Sequence, residues 1–201
     1  ITLILSLILK KYFKLNVFKI SIDDFYKTRS EREKLSKKKH PLLMIRGVPG
    51  THDYRIIYDF FKKIKNKKFI SLRLPKFDKS KDDRCHKKLW YKINSRPDVI
   101  ILEGWCVGAK AQKKSQLVNS INSLEKTKDQ NLVWRKYVNI QLKTRYKNLF
   151  KQINEIIYLK ANNFKVLQQW RIKQENKLRI NKKNKKNTKI MNKSDIINFM
   201  Q

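Results

Sequence analysis

Four glycines, four prolines, two cysteines and sixteen acidic residues are scarce provision for a chain of 201 residues, and each scarcity excludes something. Cys85 and Cys106 stand alone without a CxxC spacing, and His40, His52 and His86 form no ligand-spaced cluster. Neither a structural zinc site nor a disulfide framework is supported, and a reducing cytoplasm suits such thiol usage. The longest apolar run, "ITLILSLIL", ends at Lys10, well short of the roughly 18 to 20 residues that span a bilayer. It also lacks the basic flank and small-residue cleavage site of a secretory signal. What the chain has in excess is lysine: 50 Lys and Arg against 16 Asp and Glu give a formal charge of +34. So positive a field recruits polyanions, nucleic acid above all. However, the lysines are scattered through every segment and travel with many Asn and Ile, as when an AT-rich genome dictates surface residues.

The length suits a single domain over residues 1–201 with a real core. The opening run predicts a helix buried on most sides, with Thr2 and Ser6 four residues apart on its one polar stripe. "NVFKISI", Asn16 to Ile22, predicts a buried strand that ends at the acidic pair Asp23 and Asp24. Ser30 and Glu33 are spaced as a capping box for a short exposed helix. From His40 to Asp53, "HPLLMIRGVPGTHD" concentrates Gly and Pro and marks a shaped loop. "YRIIYDFFKKIKNKK" has helical spacing, and "FISLRLPKFDKSKDDR" reads as a strand running into an acidic loop. "PDVIILEGW", Pro97 to Trp105, has the unbroken apolar stretch of a parallel strand covered on both faces, ending at Glu103. Residues 134–158 predict a helix passing into a last strand at 156–159. A further helix, "FKVLQQWRIKQENKLRI", leads into a mobile Lys/Asn tract at 181–193, and a new helix begins at "SDIINFMQ". Strands alternating with helices predict an α/β fold, a doubly wound and mainly parallel sheet, with ligands bound at the carboxyl ends of its strands.

The few carboxylates gather at strand ends and in loops: Asp23 and Asp24, then Asp78, Asp82 and Asp83, then Glu103. Converging there, they could hold Mg²⁺ and accept a proton from a substrate hydroxyl; singly, they could equally form turns and helix caps. In "RGVPGTHD", Arg46 and glycine-exposed backbone N–H groups could grip a small anion, or simply shape the loop.

Taken in order, "SIDDFYKT", "HPLLMIRGVPGTHD", "LPKFDKSKDDR", "DVIILEGWCVGAKAQ", "NSLEKTKDQNLVWRKYVN" and "VLQQWRIKQENKL" closely resemble the D-glycerate 3-kinase family of P-loop kinases. The match runs to about residue 178 and returns weakly at "MNKSDIINFMQ". The resemblance implies ATP and Mg²⁺ as cofactors and a small hydroxy acid as acceptor. It implies that Asp23 is the general base and that Glu103 ends a Walker-B-like strand and orients Mg²⁺ through water, with Asp23 a further candidate for the metal. It also assigns Arg46, Gly47, Gly50, Thr51, His52, Asp53, Asp78 and Arg84 to acceptor binding, and Arg135 and Arg171 to phosphate contacts from a lid. Asp24, Tyr26, His52 and Asp78 could as easily be supports around the site, while Trp105, Trp134 and Trp170 read as packing. The family's phosphate loop, a Gly-rich turn ending in GK[ST], occurs nowhere in the 201 residues. The expectation is therefore a kinase fragment that lacks its first strand and phosphate loop and is inactive alone. The acceptor is D-glycerate or another small hydroxylated molecule. A basic nucleic-acid-binding protein on a degenerate kinase scaffold is the alternative from a different class.

Overall fold

Two runs rich in β-branched residues, Val17–Ser21 (β1) and Val99–Glu103 (β6), pair in parallel with Val17 opposite Val99 and Ser21 opposite Glu103. In the computed structural model, which describes residues 1–66, 69–181, 194, 196 and 200, this pair is the frame of the fold. The elements between and around it are α1 (Thr2–Lys11), α2 (Arg29–Lys38), α3 (Tyr54–Lys65), β2 (Leu72–Leu74), β3 (Phe77–Asp78), β4 (Asp83–Arg84) and β5 (Tyr91–Ile93). After β6 come α4 (Ser123–Lys128), α5 (Val133–Gln141), a π-helical turn (Leu142–Tyr146), α6 (Lys147–Phe150) and α7 (Phe164–Asn181). β2 pairs antiparallel with β5, and β3 with β4. Among the described residues the parallel sheet thus has two strands, and the wider doubly wound sheet expected from the sequence is represented by that pair and its helices.

The core forms where α3 turns one face inward. Ile57, Phe60, Phe61 and Ile64 recur at the three- and four-residue spacing of a helix stripe and meet Ile20, Ile22, Phe25, Leu74, Ile93, Tyr146 and Leu149. Full burial of each such side chain contributes roughly 1.5–3 kcal/mol, so this cluster is the main source of stability.

Four local expectations are corrected. α1 lies against β1 and β6, yet it buries Ser6 (2% exposed) and leaves Leu3, Ile4 and Leu7 at 58%, 61% and 56%. The small side chain is the one facing the core, and no described element covers the apolar remainder. The capping box lies two residues earlier than expected. The Thr28 hydroxyl accepts from Glu31 N–H at 3.2 Å, and the Glu31 carboxylate accepts from Thr28 N–H at 2.7 Å. That register turns Arg32 fully inward, where it donates to the carbonyls of Met44 (2.8 Å) and Asp82 (2.6 Å) and pairs with the Asp82 carboxylate at 3.0 Å. The helix expected through residue 158 ends at Phe150, and residues 156–159 form no strand. Ile156, Ile157, Tyr158 and Leu159 are all more than half exposed and pair with no described strand. β6 is half-buried rather than closed on both faces. The tract at 182–193 and most of the helix expected from Ser194 lie outside the described residues. No described helix is long and apolar enough to cross a membrane.

Candidate active site

β1 delivers its chain into a 3₁₀ turn, Ile22–Phe25, started by the Ser21 hydroxyl accepting from Asp23 N–H at 3.3 Å. Ile22 and Phe25 are buried, which turns Asp23 and Asp24 toward the carboxyl end of the parallel pair, where the register places Glu103 opposite Ser21. Asp23 Oδ1 accepts from the Tyr26 hydroxyl at 3.0 Å, and Oδ2 accepts from Lys79 Nζ at 2.7 Å. Burial alone would raise the pKa of Asp23. The Lys79 hydrogen bond and charge, with the Tyr26 hydroxyl, outweigh it and hold the carboxyl below its ordinary value. Asp24 is pushed the other way by burial, helped by the negative charges of Asp23 and Glu103, although Phe77 N–H donates to it at 3.1 Å. Glu103 is exposed and has no hydrogen-bond or ion-pair partner among the described residues.

The Gly-rich loop docks on this turn as a short antiparallel strip. Lys27 N–H donates to Thr51 C=O at 2.9 Å, Asp53 N–H donates to Phe25 C=O at 2.7 Å, and Tyr26 stacks on His52 with ring centroids 4.4 Å apart. Thr51, fully buried, closes the loop on itself by donating to Val48 C=O (2.7 Å) and accepting from Gly47 N–H (3.2 Å). Gly50 has a φ of +105°, and a Cβ there would meet Tyr137 Cε1 at 2.6 Å, so this position requires glycine. Its N–H donates to the Tyr146 hydroxyl at 2.9 Å, and that hydroxyl lies 2.7 Å from His52 Nδ1. Tyr146 Oη can accept from Gly50 N–H and still either donate to Nδ1 or accept from it, so the direction of that bond follows the tautomer of the His52 ring. Nε2 is buried without a partner. Burial, opposed by the charge of Asp23, lowers the His52 pKa to about 4, so the ring is neutral. Burial likewise raises Tyr26 and Tyr146 well above the ordinary phenol and Cys106 to about 12, leaving all three protonated.

Two expected arginines converge on this strip. Arg84 donates through Nε (3.2 Å) and Nη2 (2.9 Å) to Tyr26 C=O and lies 3.8 Å from Asp53 and 3.7 Å from Glu31. Arg46 pairs with Asp82 and sits 5.6 Å from the Phe77 ring centroid. Asp78 instead forms a turn, accepting from the N–H (2.9 Å) and hydroxyl (2.6 Å) of Ser80. The lid candidates lie elsewhere. Arg135 is buried against Asp129 (3.0 Å), Glu125 (3.5 Å) and Leu117 C=O (2.9 Å), and Arg171 pairs along α7 with Glu175 at 2.7 Å. Trp105, expected as packing, is 67% exposed, and its indole N–H ties the end of β6 to Gly47 C=O at 3.2 Å. Trp134 is half-buried and Trp170 is exposed.

Sequence reasoning passed over Lys79, one basic residue among 50, and Tyr146, whose helical spacing reads as core and whose hydroxyl nevertheless holds the loop. No three or more His, Cys, Asp or Glu side chains converge as a closed metal cage among the described residues. The open carboxylate of Glu103, with Asp23 nearby, suits a hard cation such as Mg²⁺, which keeps most of its waters and leans on phosphate oxygens.

No family model matches the chain. It is 30% identical over 172 residues to the uncharacterized kinase mug58 of Schizosaccharomyces pombe, a match covering 82% of this chain and 61% of that protein. The chain thus spans less than two thirds of that curated relative. Its structure matches a D-glycerate 3-kinase from Cryptococcus neoformans var. grubii with a TM-score of 0.82 and 25% identity, covering 99% of this chain and 70% of the other. It matches the YGR205w protein with a TM-score of 0.71 and 32% identity, over 98% and 68% of the two chains. With the "DDFY", "RGVPGTHD" and "EGW" segments meeting at one strand end, the chain is a relative of a group of kinases that includes a D-glycerate 3-kinase.

Proposed function

We propose that this chain forms the acceptor side of an ATP-dependent kinase that phosphorylates a hydroxyl of D-glycerate, giving 3-phosphoglycerate. The observation that supports this reading best is Asp23, an ionised carboxylate held by Lys79 and Tyr26 just past the end of β1, whose last residue, Ser21, lies opposite Glu103. In such a reaction the protein does little covalent work and contributes mainly position and charge. Asp23 accepts the proton of the attacking hydroxyl as that oxygen moves onto phosphorus. Arg46 and Arg84, with the backbone of Gly47 to Asp53, hold the acceptor's carboxylate and point its hydroxyl at Asp23. His52 and Thr51, both buried, keep that backbone in place. Glu103 would hold Mg²⁺ through water, with Asp23 nearby; when bound, the ion neutralises charge on the transferring phosphoryl group. Arg171 remains a candidate for phosphate contact. Arg135 would have to leave Asp129 to make one, and we assign it to fixing the segment before α5.

The test measures ADP formation on adding D-glycerate to a protein in which a GK[ST] phosphate loop precedes this sequence. Saturable, D-glycerate-dependent turnover is expected. Turnover with another small hydroxy acid and none with D-glycerate would move the assignment to that acceptor. The 201 residues alone should show negligible turnover, since the family's phosphate cradle supplies several preorganised donors at once.

A further inference from the structure

A polar concavity lies between α3 and the π-helical turn. It encloses about 550 Å³, and its walls carry Arg55, Arg145 and Lys151 against a single carboxylate, Asp59. Tyr54 and Tyr58, one helical turn apart, supply an aromatic side. The Arg145 guanidinium stands 4.7 Å from the Tyr54 ring centroid. A π turn carries one residue more than an α turn, and such insertions re-aim side chains at functional sites. Here consecutive residues face opposite ways: Tyr146 inward to Gly50 and His52, Arg145 outward over Tyr54. Lys27 stands close by, its pKa lowered chiefly by burial and further by the charges of Arg55 and Arg145, which Asp53 and Glu31 oppose. Arg55 Nε lies 3.5 Å from the Asp53 carboxylate, but among the described residues no carboxylate lies at ion-pair distance from Arg145, Lys151 or Lys27, and an incoming dianion would relieve the repulsion among these cations.

We propose that this groove binds the phosphate group of a small phosphorylated molecule between Arg55 and Arg145, with the rest of the ligand against Tyr58. Guanidinium pairs match phosphate oxygens in geometry as well as charge, and a groove of this size accommodates a nucleotide or a sugar phosphate.

The test is calorimetric titration of the chain at physiological ionic strength with inorganic phosphate and, separately, adenosine monophosphate. Saturable binding of one equivalent is expected for both probes. The Arg55→Gln/Arg145→Gln pair should weaken it about tenfold or more, since two charge-assisted contacts are lost. Lys63→Gln, an exposed charge change at the far end of α3, should change it less than about twofold. Tighter binding of adenosine monophosphate marks a nucleotide as the source of the phosphate, and equal binding marks any phosphate ester; either supports the site provided the paired substitution weakens it. The proposal is overturned if no probe saturates, if the paired substitution leaves binding unchanged, or if Lys63→Gln weakens it equally, which would trace the attraction to the diffuse +34 field.

Discussion

Lowering the pH should destabilise this protein through His52 before it does so through the carboxylates. The ring is 1% exposed, shares a hydrogen bond with the Tyr146 hydroxyl at Nδ1 and is neutral with a pKa lowered to about 4 from an ordinary value of 6.5. In the unfolded chain the same ring takes up its proton near 6.5, so between these two values the unfolded state binds more protons and stability falls as pH falls. The contribution is complete above the unfolded value and is lost on approaching about 4. For this single group the loss is about 2 kcal/mol between pH 8 and pH 5, where ordinary carboxylates stay ionised. The assay is urea unfolding of the chain across that range, alongside His52→Gln. The variant should be less stable at pH 8, because it gives up the stack on Tyr26 and the hydrogen bond shared with Tyr146. Its dependence on pH should nevertheless be flatter, so that the two stabilities converge toward pH 5. A wild-type curve flat over this range, or an equal slope in His52→Gln, would refute the reasoning.

Four further substitutions probe the scaffold by the same unfolding assay. Gly50→Ala should cost about 2 kcal/mol or more, because alanine is strained at a φ of +105° and its Cβ presses on Tyr137 and Gln141; an unchanged midpoint would show that the loop relaxes freely. Arg135→Met should cost about 3–5 kcal/mol by leaving the Asp129 carboxylate buried without its cation. A loss below about 1 kcal/mol would mean that Arg135 is not needed there and return it to the phosphate-binding candidates. Thr28→Ala should cost about 1 kcal/mol and Ser30→Ala almost nothing, since the capping box is built on Thr28.

Much of this architecture was legible because it rests on strong local patterns. Consecutive Val99 to Leu102 could only be a strand needing cover, and the inward spacing of Ile57, Phe60, Phe61 and Ile64 could only be one helix face. The rare glycines and prolines marked the loop between Arg46 and Asp53 as a shaped element, and the family resemblance joined that loop to Asp23 and Glu103. What stayed hidden depended on tertiary choice. α1 is apolar around most of its circumference, so periodicity could not name the side that meets the sheet, and Ser6 takes it. "TRSERE" offers two capping boxes two residues apart, and the inward path of Arg32 to Met44 and Asp82 accompanies the earlier one. Residues 156–159 carry a strand's composition but pair with no described strand, a choice that local composition does not encode. Tyr146 and Lys79 were invisible for opposite reasons: one sits in a helical pattern as core, the other among too many cations to stand out.

The central claim is that the carboxylate at the end of β1 takes the acceptor's proton. The direct measurement is kcat for D-glycerate-dependent ADP formation in Asp23→Asn, in the protein supplied with its phosphate loop, with unfolding midpoints confirming the fold. Asparagine keeps the size of the side chain and removes the base, so kcat should drop about 100-fold or more. A kcat within about twofold of the unsubstituted protein would contradict the role of Asp23, since a general base accounts for a far larger factor.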